Sequence, residues 1–178
     1  MMSEKGTLYL FTGLAGTGKT TIGGLFYDRL RLRDPEAVLL DGDRMRSAAA
    51  AAAGANVMDD SKYTPPARME GAWSLFPRCK ELTDQGKNVV CCTISLYNEP
   101  KAWGKANIEQ FREIYVKASW ETLRARNPKG LYSPGRRNVV GVDLPYDEPV
   151  SPDVVIQNDG QETPEEIVSW LERLFGLS

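Results

Sequence analysis

The chain contains no histidine among its 178 residues. This absence excludes Ser-His hydrolase chemistry, histidine acid–base catalysis and histidine metal ligands. Carboxylates, lysines, arginines and hydroxyls must therefore carry any chemistry. Cysteine is also scarce, since Cys79, Cys91 and Cys92 are an odd number without metal-ligand spacing. We expect buried thiols in a reducing compartment rather than a disulfide framework.

Strong net charge and long apolar runs are missing as well. The formal net charge is −2, so there is no global basic field to attract nucleic acid or an anionic membrane. The first apolar run, residues 8–11, is far shorter than the roughly 20 residues that span a bilayer. The residues before it lack the features of a secretory signal. These observations predict a cytoplasmic protein with neither a membrane nor a nucleic-acid partner.

Short apolar runs alternate with helical patterns along the whole chain. The runs predict β-strands at residues 7–12, 37–41, 88–95, 112–117 and 153–158. Their nearly continuous apolar character is typical of parallel strands that are covered on both faces. Helical patterns begin near positions 18, 44, 66, 100 and 119, and Thr163, Pro164 and Glu166 form a capping-box signature for a last helix. The alternation predicts a single three-layer α/β domain over residues 1–178.

Two segments do not fit this alternation. Residues 47–66 begin as an alanine run and become polar and turn-rich, which predicts weak packing. They form either a surface excursion without function or a flap over a site. Residues 124–138 hold five basic residues and no acid. They form either a solvated basic turn or, as we prefer, part of a lid that closes over a bound nucleotide and covers about 124–145.

The stretch "GLAGTGKT" at residues 13–20 matches the pattern G-x-x-x-x-G-K-[ST] between a predicted strand and a predicted helix. Its glycines allow backbone N–H groups to face phosphates at the start of the helix. The motif predicts that Lys19 contacts the β- and γ-phosphates of ATP and that the Thr20 hydroxyl ligates Mg²⁺. The other predicted ATP-binding residues of this loop are Gly13, Ala15, Gly16, Thr17, Gly18 and Thr21.

A second motif, "LLDGDRMR" at residues 39–46, follows the second predicted strand. It is either a simple turn, with Asp41 capping the next helix, or part of an acceptor site. In an acceptor site, Asp43 would bind the attacking hydroxyl and a water on Mg²⁺, and Arg46 would bind an anionic acceptor. The N-K-x-D motif of GTPases is absent. These features favour a small-molecule kinase.

The motifs "GLAGTGKTT", "LLDGDRMR", "TISLY", "IYVKASWETLRARNPKGLY" and "GVDLPYDEP…PDVVI" occur in the order and approximate spacing of a known family. In these stretches the chain resembles the adenylylsulfate kinases. The resemblance implies a P-loop kinase fold with a five-stranded parallel sheet, usually in a homodimer. It also implies transfer of the ATP γ-phosphate to the ribose 3′-hydroxyl of adenylylsulfate.

The resemblance assigns roles to individual positions. It implies acceptor-site roles for Asp43, Arg46, Arg68, Ser95, Lys129 and Gly141, and an ATP-side lid role for Arg126. Lys19, Asp43 and Lys129 would be catalytic, and Thr20 and Asp43 would hold the metal ion, directly or through water. Ser95 matches a serine that some members carry phosphorylated, and it is equally well an ordinary hydroxyl at a strand end.

The departures from the family fall on the acceptor side. The family places two phenylalanines around the acceptor base, but Val139 stands at one position and only Tyr63 could substitute at the other. An asparagine and two arginines beyond Arg68 are replaced by Gly71, Trp73 and Ser74. The usual "SPYR" reads "SLYN", and the lid is shorter. The donor half therefore matches the family, whereas the acceptor half is altered.

Three alternatives to adenylylsulfate phosphorylation remain open. The first is a cytidine diphosphoramidate kinase of capsule modification, with the same chemistry and a different acceptor. The second is a kinase of another acceptor class, such as a sugar acid or a shikimate-like ring. The third is a nucleotide-binding module without turnover. Trp73 and Trp103 are expected to fill the core rather than line the acceptor pocket.

Overall fold

The computed structural model describes residues 4–42, 45, 64–94 and 97–177 of the chain. In this part, five strands form one parallel sheet in the order β2-β3-β1-β4-β5. The strands are β1 (Thr7–Thr12), β2 (Val38–Asp41), β3 (Val89–Thr93), β4 (Gln110–Lys117) and β5 (Val154–Gln157). The predicted α/β fold with a five-stranded parallel sheet is confirmed, and each strand lies within two residues of its predicted bounds.

Helices cover both faces of the sheet. They are α1 (Lys19–Arg33), α2 (Pro65–Asp84), α3 (Asn98–Asn107), α4 (Trp120–Arg126) and α5 (Pro164–Leu174), with a 3₁₀ turn at Pro128–Gly130. At the start of α5, the Thr163 hydroxyl accepts a hydrogen bond from the Glu166 N–H, and the Glu166 carboxylate accepts one from the Thr163 N–H. The predicted capping box is therefore present. The helix predicted near position 44 lies outside the described residues.

The core has two parts, one on each face of the sheet. Side chains of β1 alternate between them: Tyr9 and Phe11 pack under α1 and α5, whereas Leu8 and Leu10 pack under α2 and α3. The prediction of buried free cysteines is confirmed, because all three thiols are buried and unpaired by disulfides. The prediction that Trp73 fills the core is wrong, since its side chain is 37% exposed. Trp103, which belongs to α3, does pack against the core.

A buried ion pair joins α3 to the sheet. The Lys101 ammonium lies 3.0 Å from the Glu113 carboxylate, and these side chains are 3% and 1% exposed. Lys105, one turn further along α3, lies 2.7 Å from the other oxygen of Glu113. Removal of one partner would leave a buried charge uncompensated, so this network holds α3 in a fixed position on β4.

The strand order locates the expected ligand site. After β1, the chain forms β2 and β3 on one side of β1 and then β4 on its other side. The connections that leave the carboxyl ends of β1 and β3 therefore run in opposite directions across the sheet. Open α/β sheets bind ligands at this kind of divergence. The loop at 13–18 follows β1 at this edge. Among the described residues, no helix is both long and apolar enough to cross a bilayer.

Candidate active site

The loop between β1 and α1 depends on glycine at three positions. Gly13, Gly16 and Gly18 have φ angles of 153°, 84° and 93°. A Cβ at Gly13 would lie 2.2 Å from the Val116 carbonyl oxygen, and one at Gly18 would lie 2.4 Å from the Asn158 amide nitrogen. These contacts are too short for any side chain. The loop therefore passes close to β4 and to the end of β5 because it lacks side chains there.

Side chains from distant parts of the chain fix the carbonyl groups of this loop. Asn158 donates to the Thr17 carbonyl at 2.8 Å, and Arg126 donates to the Gly16 carbonyl at 2.9 Å. The Tyr132 hydroxyl donates to the Ala15 carbonyl at 2.6 Å. Three successive peptide groups are thus oriented by tertiary hydrogen bonds. A loop held in this way is preorganised to present its backbone to an anion at the start of α1.

Lys19 is a buried cation at the first position of α1. Its side chain is 8% exposed, and its ammonium donates to the Leu14 carbonyl at 3.3 Å. The neighbouring Cys92 thiol donates to the Lys19 carbonyl at 3.7 Å. Burial, together with the charge of Asp41, raises the pKa of Cys92 to about 12. This thiol therefore stays protonated at neutral pH and is no candidate nucleophile, whereas Lys19 supplies positive charge.

Two cavities border this loop and a third adjoins one of them, and we name the three after the roles that the sequence analysis predicts for residues in or beside them. The donor cavity, about 430 Å³, lies between the start of α1, Arg126 and residues 158–164. The transfer cavity, about 510 Å³, lies between the loop and the turn that follows α4. The acceptor cavity, about 230 Å³, is lined by residues of α2, the end of β3, the residue before α3, and residues 140–146.

Neighbouring cavities share lining residues. The donor and transfer cavities share Gly16, Lys19 and Thr20 as lining residues. The transfer and acceptor cavities share Arg68 and Ile94. The phosphate-loop lysine therefore lies between two spaces, each at the edge of the sheet. This arrangement suits a reaction in which a group passes from a molecule in one space to a molecule in the other.

The transfer cavity is strongly cationic. Its described lining includes five cations and no carboxylate: Lys19, Arg68, Lys129, Arg136 and Arg137. Lys129 has a left-handed backbone with a φ of 53°, an unfavourable conformation for a lysine. Arg136 braces this turn by donating to the carbonyls of Gly130 and Lys129 at 3.4 and 3.3 Å. The convergence of cations is suited to the negative charge of a phosphoryl group in transit.

Several predicted site residues line these cavities. Thr20 lines the donor and transfer cavities, and Thr21 lines the donor cavity. Arg126 lines the donor cavity, Lys129 the transfer cavity, and Arg68 both the transfer and acceptor cavities. Their roles stay predictions.

Other predicted residues are placed differently or not described. Asp43, Arg46, Tyr63 and Ser95 lie outside the described residues, so the predictions made for them stay predictions. A Cβ at Gly141 would lie 3.1 Å from both Leu14 and the Trp120 ring, and its N–H donates to the Leu144 carbonyl at 2.8 Å. The described contacts of Gly141 are therefore packing contacts beside the phosphate loop. Its predicted role in acceptor binding stays a prediction.

The walls of the acceptor cavity differ from the sequence-based expectation. Val139 is buried at 2% exposure, and the next residue, Val140, lines the cavity instead. Two tyrosines that the sequence analysis did not assign, Tyr97 and Tyr146, supply aromatic surface. Gly71 also lines the cavity, and space at its Cβ position is open.

Sequence reasoning also missed residues on the donor side and in the transfer cavity. Asn158 and Tyr132 hold the loop from positions about 115 or more residues away, a relationship that no local pattern signals. Arg136 and Arg137 belong to the basic run at 124–138, and that run was the available signal for them.

Comparison with known proteins places this site in a family. The sequence profile described as Adenylylsulphate kinase matches residues 5–157. The chain belongs to the adenylylsulfate kinase family. It is 34% identical over 170 residues to a cytidine diphosphoramidate kinase of Campylobacter jejuni, with 93% of this chain and 94% of the relative covered. It is 32% identical over 178 residues to an adenylyl-sulfate kinase of Oceanobacillus iheyensis, covering 97% and 85% of the two chains.

Solved structures agree with the family assignment. The structure of the Mycobacterium tuberculosis APS kinase in complex with AMPPNP and APS has a TM-score of 0.80 and 25% identity, and the match covers 97% of this chain and 98% of that one. The described sheet and helices are those of the P-loop kinase fold. This adenylylsulfate kinase homologue is a phosphotransferase that acts on a hydroxyl group.

The adenylylsulfate kinases use ATP with Mg²⁺. The residues of the site fit these groups, because a glycine cradle and the buried Lys19 suit a triphosphate and the exposed Thr20 hydroxyl suits a hard cation. Among residues 4–42, 45, 64–94 and 97–177, no cluster of three carboxylates or thiols could form a protein-only metal site.

Proposed function

We propose that this adenylylsulfate kinase homologue transfers the γ-phosphate of ATP to the ribose 3′-hydroxyl of a small nucleotide such as adenylylsulfate. The observation that carries the proposal is the series of donor, transfer and acceptor cavities, in which neighbouring cavities share lining residues and Lys19 lines the first two. A hydrolase needs space for one nucleotide and a water. This site offers a second space, with aromatic walls, on the far side of the phosphate loop.

Each part of the site has a role in this proposal. The loop 13–20 binds the phosphates of ATP, with Arg126 beside the donor nucleoside. Lys19 and Lys129 neutralise the phosphoryl oxygens from two sides of the transfer cavity. Thr20, and Asp43 through a water, would hold Mg²⁺, which would help to neutralise the phosphate charge. Arg68, at the boundary of the transfer and acceptor cavities, binds the anionic part of the acceptor, together with Arg46.

Asp43 is the proposed general base for the acceptor hydroxyl. Asp43→Asn should lower kcat by about 10²- to 10⁴-fold while the Kd for ATP changes little, because the amide cannot accept the hydroxyl proton. Steady-state kinetics and calorimetric titration with a non-hydrolysable ATP analogue would measure the two quantities. Retention of most of the activity would show that another group prepares the hydroxyl.

A second candidate acceptor is cytidine diphosphoramidate. The observation in its favour is the composition of the acceptor cavity on α2, where Gly71 and Ser74 stand at positions of larger polar side chains in the family. The described cavity has one basic lining residue, Arg68, which suits a less anionic tail. The 34% identity to the Campylobacter jejuni enzyme supports the same candidate.

A paired assay would test both acceptors. Purified protein with Mg-ATP is supplied separately with adenylylsulfate, cytidine diphosphoramidate, a sugar acid or shikimate. The product is identified by mass spectrometry and phosphorus NMR, with Lys19→Ala as a control for contaminating kinases. A new phosphate ester on the 3′-hydroxyl of either compound supports the proposal, and the ratio of kcat/KM values identifies the acceptor. Phosphorylation of a sugar acid or shikimate, but of neither nucleotide, would overturn it. ATP binding without any turnover would identify a non-catalytic module.

Three further properties belong to the proposal. We propose that residues 124–145 act as a lid, since the turn after α4 carries the strained Lys129 and contacts the phosphate loop through Arg126 and Tyr132. The family resemblance supports a homodimer. The net charge of −2 supports a small nucleotide rather than a nucleic acid as the substrate, and we propose a cytoplasmic protein.

A further inference from the structure

The first turn of α3 is capped by a residue from a distant part of the chain. Tyr97, the residue before α3, makes no side-chain cap. Instead, the Asn98 N–H donates to an oxygen of the Asp147 carboxylate at 3.0 Å, and the Asn98 side chain donates to the Glu148 carbonyl at 3.4 Å. A carboxylate at this end of a helix satisfies an unpaired N–H and interacts favourably with the helix dipole.

Asp147 belongs to a segment without helix or strand, residues 145–153, which we call the strap. Side-chain bonds hold the strap in place. Glu148 accepts a hydrogen bond from the Tyr115 hydroxyl at 3.3 Å and lies 3.3 Å from the Lys117 ammonium. Asp153 accepts a hydrogen bond from the Glu113 N–H at 2.7 Å. The strap is therefore attached to β4 near both of its ends.

The strap also holds α3 at both of its ends. Asp147 caps the first turn, and Lys105, in the last turn, donates to the Ser151 carbonyl at 2.8 Å. Lys105 is at the same time paired with the buried Glu113. Lys101, in the first turn of α3, and Lys105, in its last turn, both pair with the buried Glu113. The bond between Asn98 and Asp147 adds an exposed connection that ties the first turn to the strap.

The two residues that come directly before Asn98 and Asp147 in the chain both line the acceptor cavity. Tyr97 comes directly before Asn98, and Tyr146 comes directly before Asp147. The hydrogen bond therefore joins two walls of the cavity that come from different segments. Tyr146 also packs in a small cluster with Leu14 of the phosphate loop and with Tyr132. The position of these walls is thus linked to the loop that binds the donor phosphates.

We propose that Asp147 is a positioning residue for the acceptor, which holds Tyr97 and Tyr146 in place as two walls of the cavity that receives the nucleotide base. The inference rests on the proposed function, because that function places a base in the acceptor cavity. Asp147 itself does not line the cavity, so its effect passes through the two tyrosines. Stacking on aromatic side chains contributes to base binding, and misplaced walls would weaken it.

The test compares three variants with the wild type, using adenylylsulfate and cytidine diphosphoramidate as acceptors. Asp147→Ala should raise the KM for the preferred acceptor about tenfold, with kcat and the KM for ATP changed less than about twofold. Asp147→Asn keeps an oxygen that accepts the Asn98 N–H and should restore the KM to within about threefold of the wild type. The matched control is Asp34→Ala, since Asp34 accepts hydrogen bonds from the Glu36 N–H at 3.1 Å and the Asn88 amide at 2.9 Å at the opposite edge of the sheet. It should lower stability without changing either KM.

Hydrogen–deuterium exchange provides a readout that needs no turnover. Asp147→Ala should accelerate exchange in peptides that contain the first turn of α3, and leave peptides of α1 unchanged. If the wild type phosphorylates neither acceptor, the proposed function fails, and titration of AMP and CMP into the wild type and Asp147→Ala still tests the inference. An unchanged acceptor KM or nucleotide affinity in Asp147→Ala overturns it. Equal increases in the KM values for ATP and acceptor, in step with a lower melting temperature, also overturn it.

Discussion

The donor and acceptor sides of this site are built in different ways. On the donor side, one short loop carries the binding groups, and left-handed glycines and three tertiary hydrogen bonds to its carbonyls determine its shape. On the acceptor side, side chains from α2, the end of β3, the start of α3 and residues 140–146 form the walls. A site that binds through backbone groups tolerates few substitutions. A site whose walls are side chains can change its ligand when single residues change. The difference accounts for a family with one donor and more than one named acceptor.

Among the residues that the structure describes, the largest expected effect of a substitution is on the donor side. Lys19→Ala should lower kcat by about 10²- to 10³-fold, because it removes a buried cation from between the donor and transfer cavities. Initial rates at saturating ATP and acceptor would measure the change, and circular dichroism would show whether the fold is retained. A loss of less than tenfold in a folded variant would mean that the other cations of the transfer cavity suffice.

A second substitution tests whether backbone shape determines the donor side. Gly13→Ala should destabilise the protein by about 2–4 kcal/mol, because the new Cβ would lie 2.2 Å from the Val116 carbonyl oxygen and the φ of 153° disfavours a side chain. Urea denaturation would measure the free energy of unfolding.

Gly24→Ala is the matched control for this substitution. Gly24 lies within α1, and no heavy atom lies within 4 Å of its Cβ position. The control should raise the free energy of unfolding by about 0.5–1 kcal/mol, since alanine is the better helix former. Equal effects of the two substitutions would contradict the close approach of the loop to β4.

The acceptor side should respond to a side chain without loss of stability. Gly71→Leu should raise the KM for the acceptor about tenfold and leave the KM for ATP unchanged, because Gly71 lines the acceptor cavity and is absent from the donor lining. The melting temperature should stay equal or increase, since leucine favours helix α2. Trp73→Leu, on the same helix but outside the described cavity lining, is the control and should change neither KM. If Gly71→Leu raised the KM values for both ATP and the acceptor, Gly71 would not belong to a site that binds the acceptor alone.

The same contrast explains what could be predicted from the sequence. The individual strands, the phosphate-loop motif and the capping box are each signalled by residues close together in the chain, and the sequence predicts all of them. Val139 is buried, whereas the next residue, Val140, lines the cavity. This difference depends on the shape of a turn that cannot be predicted from the stretch "NVVGVD". Trp73 illustrates the same limit, because an apolar residue in a helix does not indicate by itself which way the helix faces.

The aromatic walls of the acceptor cavity could not be found by local reasoning either. Tyr97 and Tyr146 are about 50 residues apart in the chain, and the bond that joins their neighbours is tertiary. The sequence analysis therefore identified the loss of an aromatic pair but not the tyrosines that are present. Sites made of one contiguous loop can be predicted from sequence, whereas sites assembled by topology need the structure.

The smallest expected effect concerns Tyr132, which connects the two sides. Its hydroxyl donates to the Ala15 carbonyl, and its ring packs in the cluster that contains Tyr146. Burial, and to a lesser extent the neighbouring Tyr146, raises the pKa of Tyr132 to about 12 from its ordinary value of 10.0. The folded state therefore favours the protonated phenol. This contribution to stability is complete below pH 10 and is lost as the pH rises towards about 12, where the unfolded chain ionises first.

Tyr132→Phe should lower the free energy of unfolding by about 1 kcal/mol at pH 8, because it removes one hydrogen bond to the phosphate loop. It should also flatten the loss of stability between pH 10 and 12, because phenylalanine cannot ionise. Urea denaturation of both proteins across this pH range would measure the difference between their free energies of unfolding. The lysines titrate in both proteins, so their contribution cancels in this difference. If the stabilities of the two proteins fell in parallel above pH 10, Tyr132 would ionise equally in the folded and unfolded states. The bond to Ala15 would then not be the element that couples the phosphate loop to the acceptor wall.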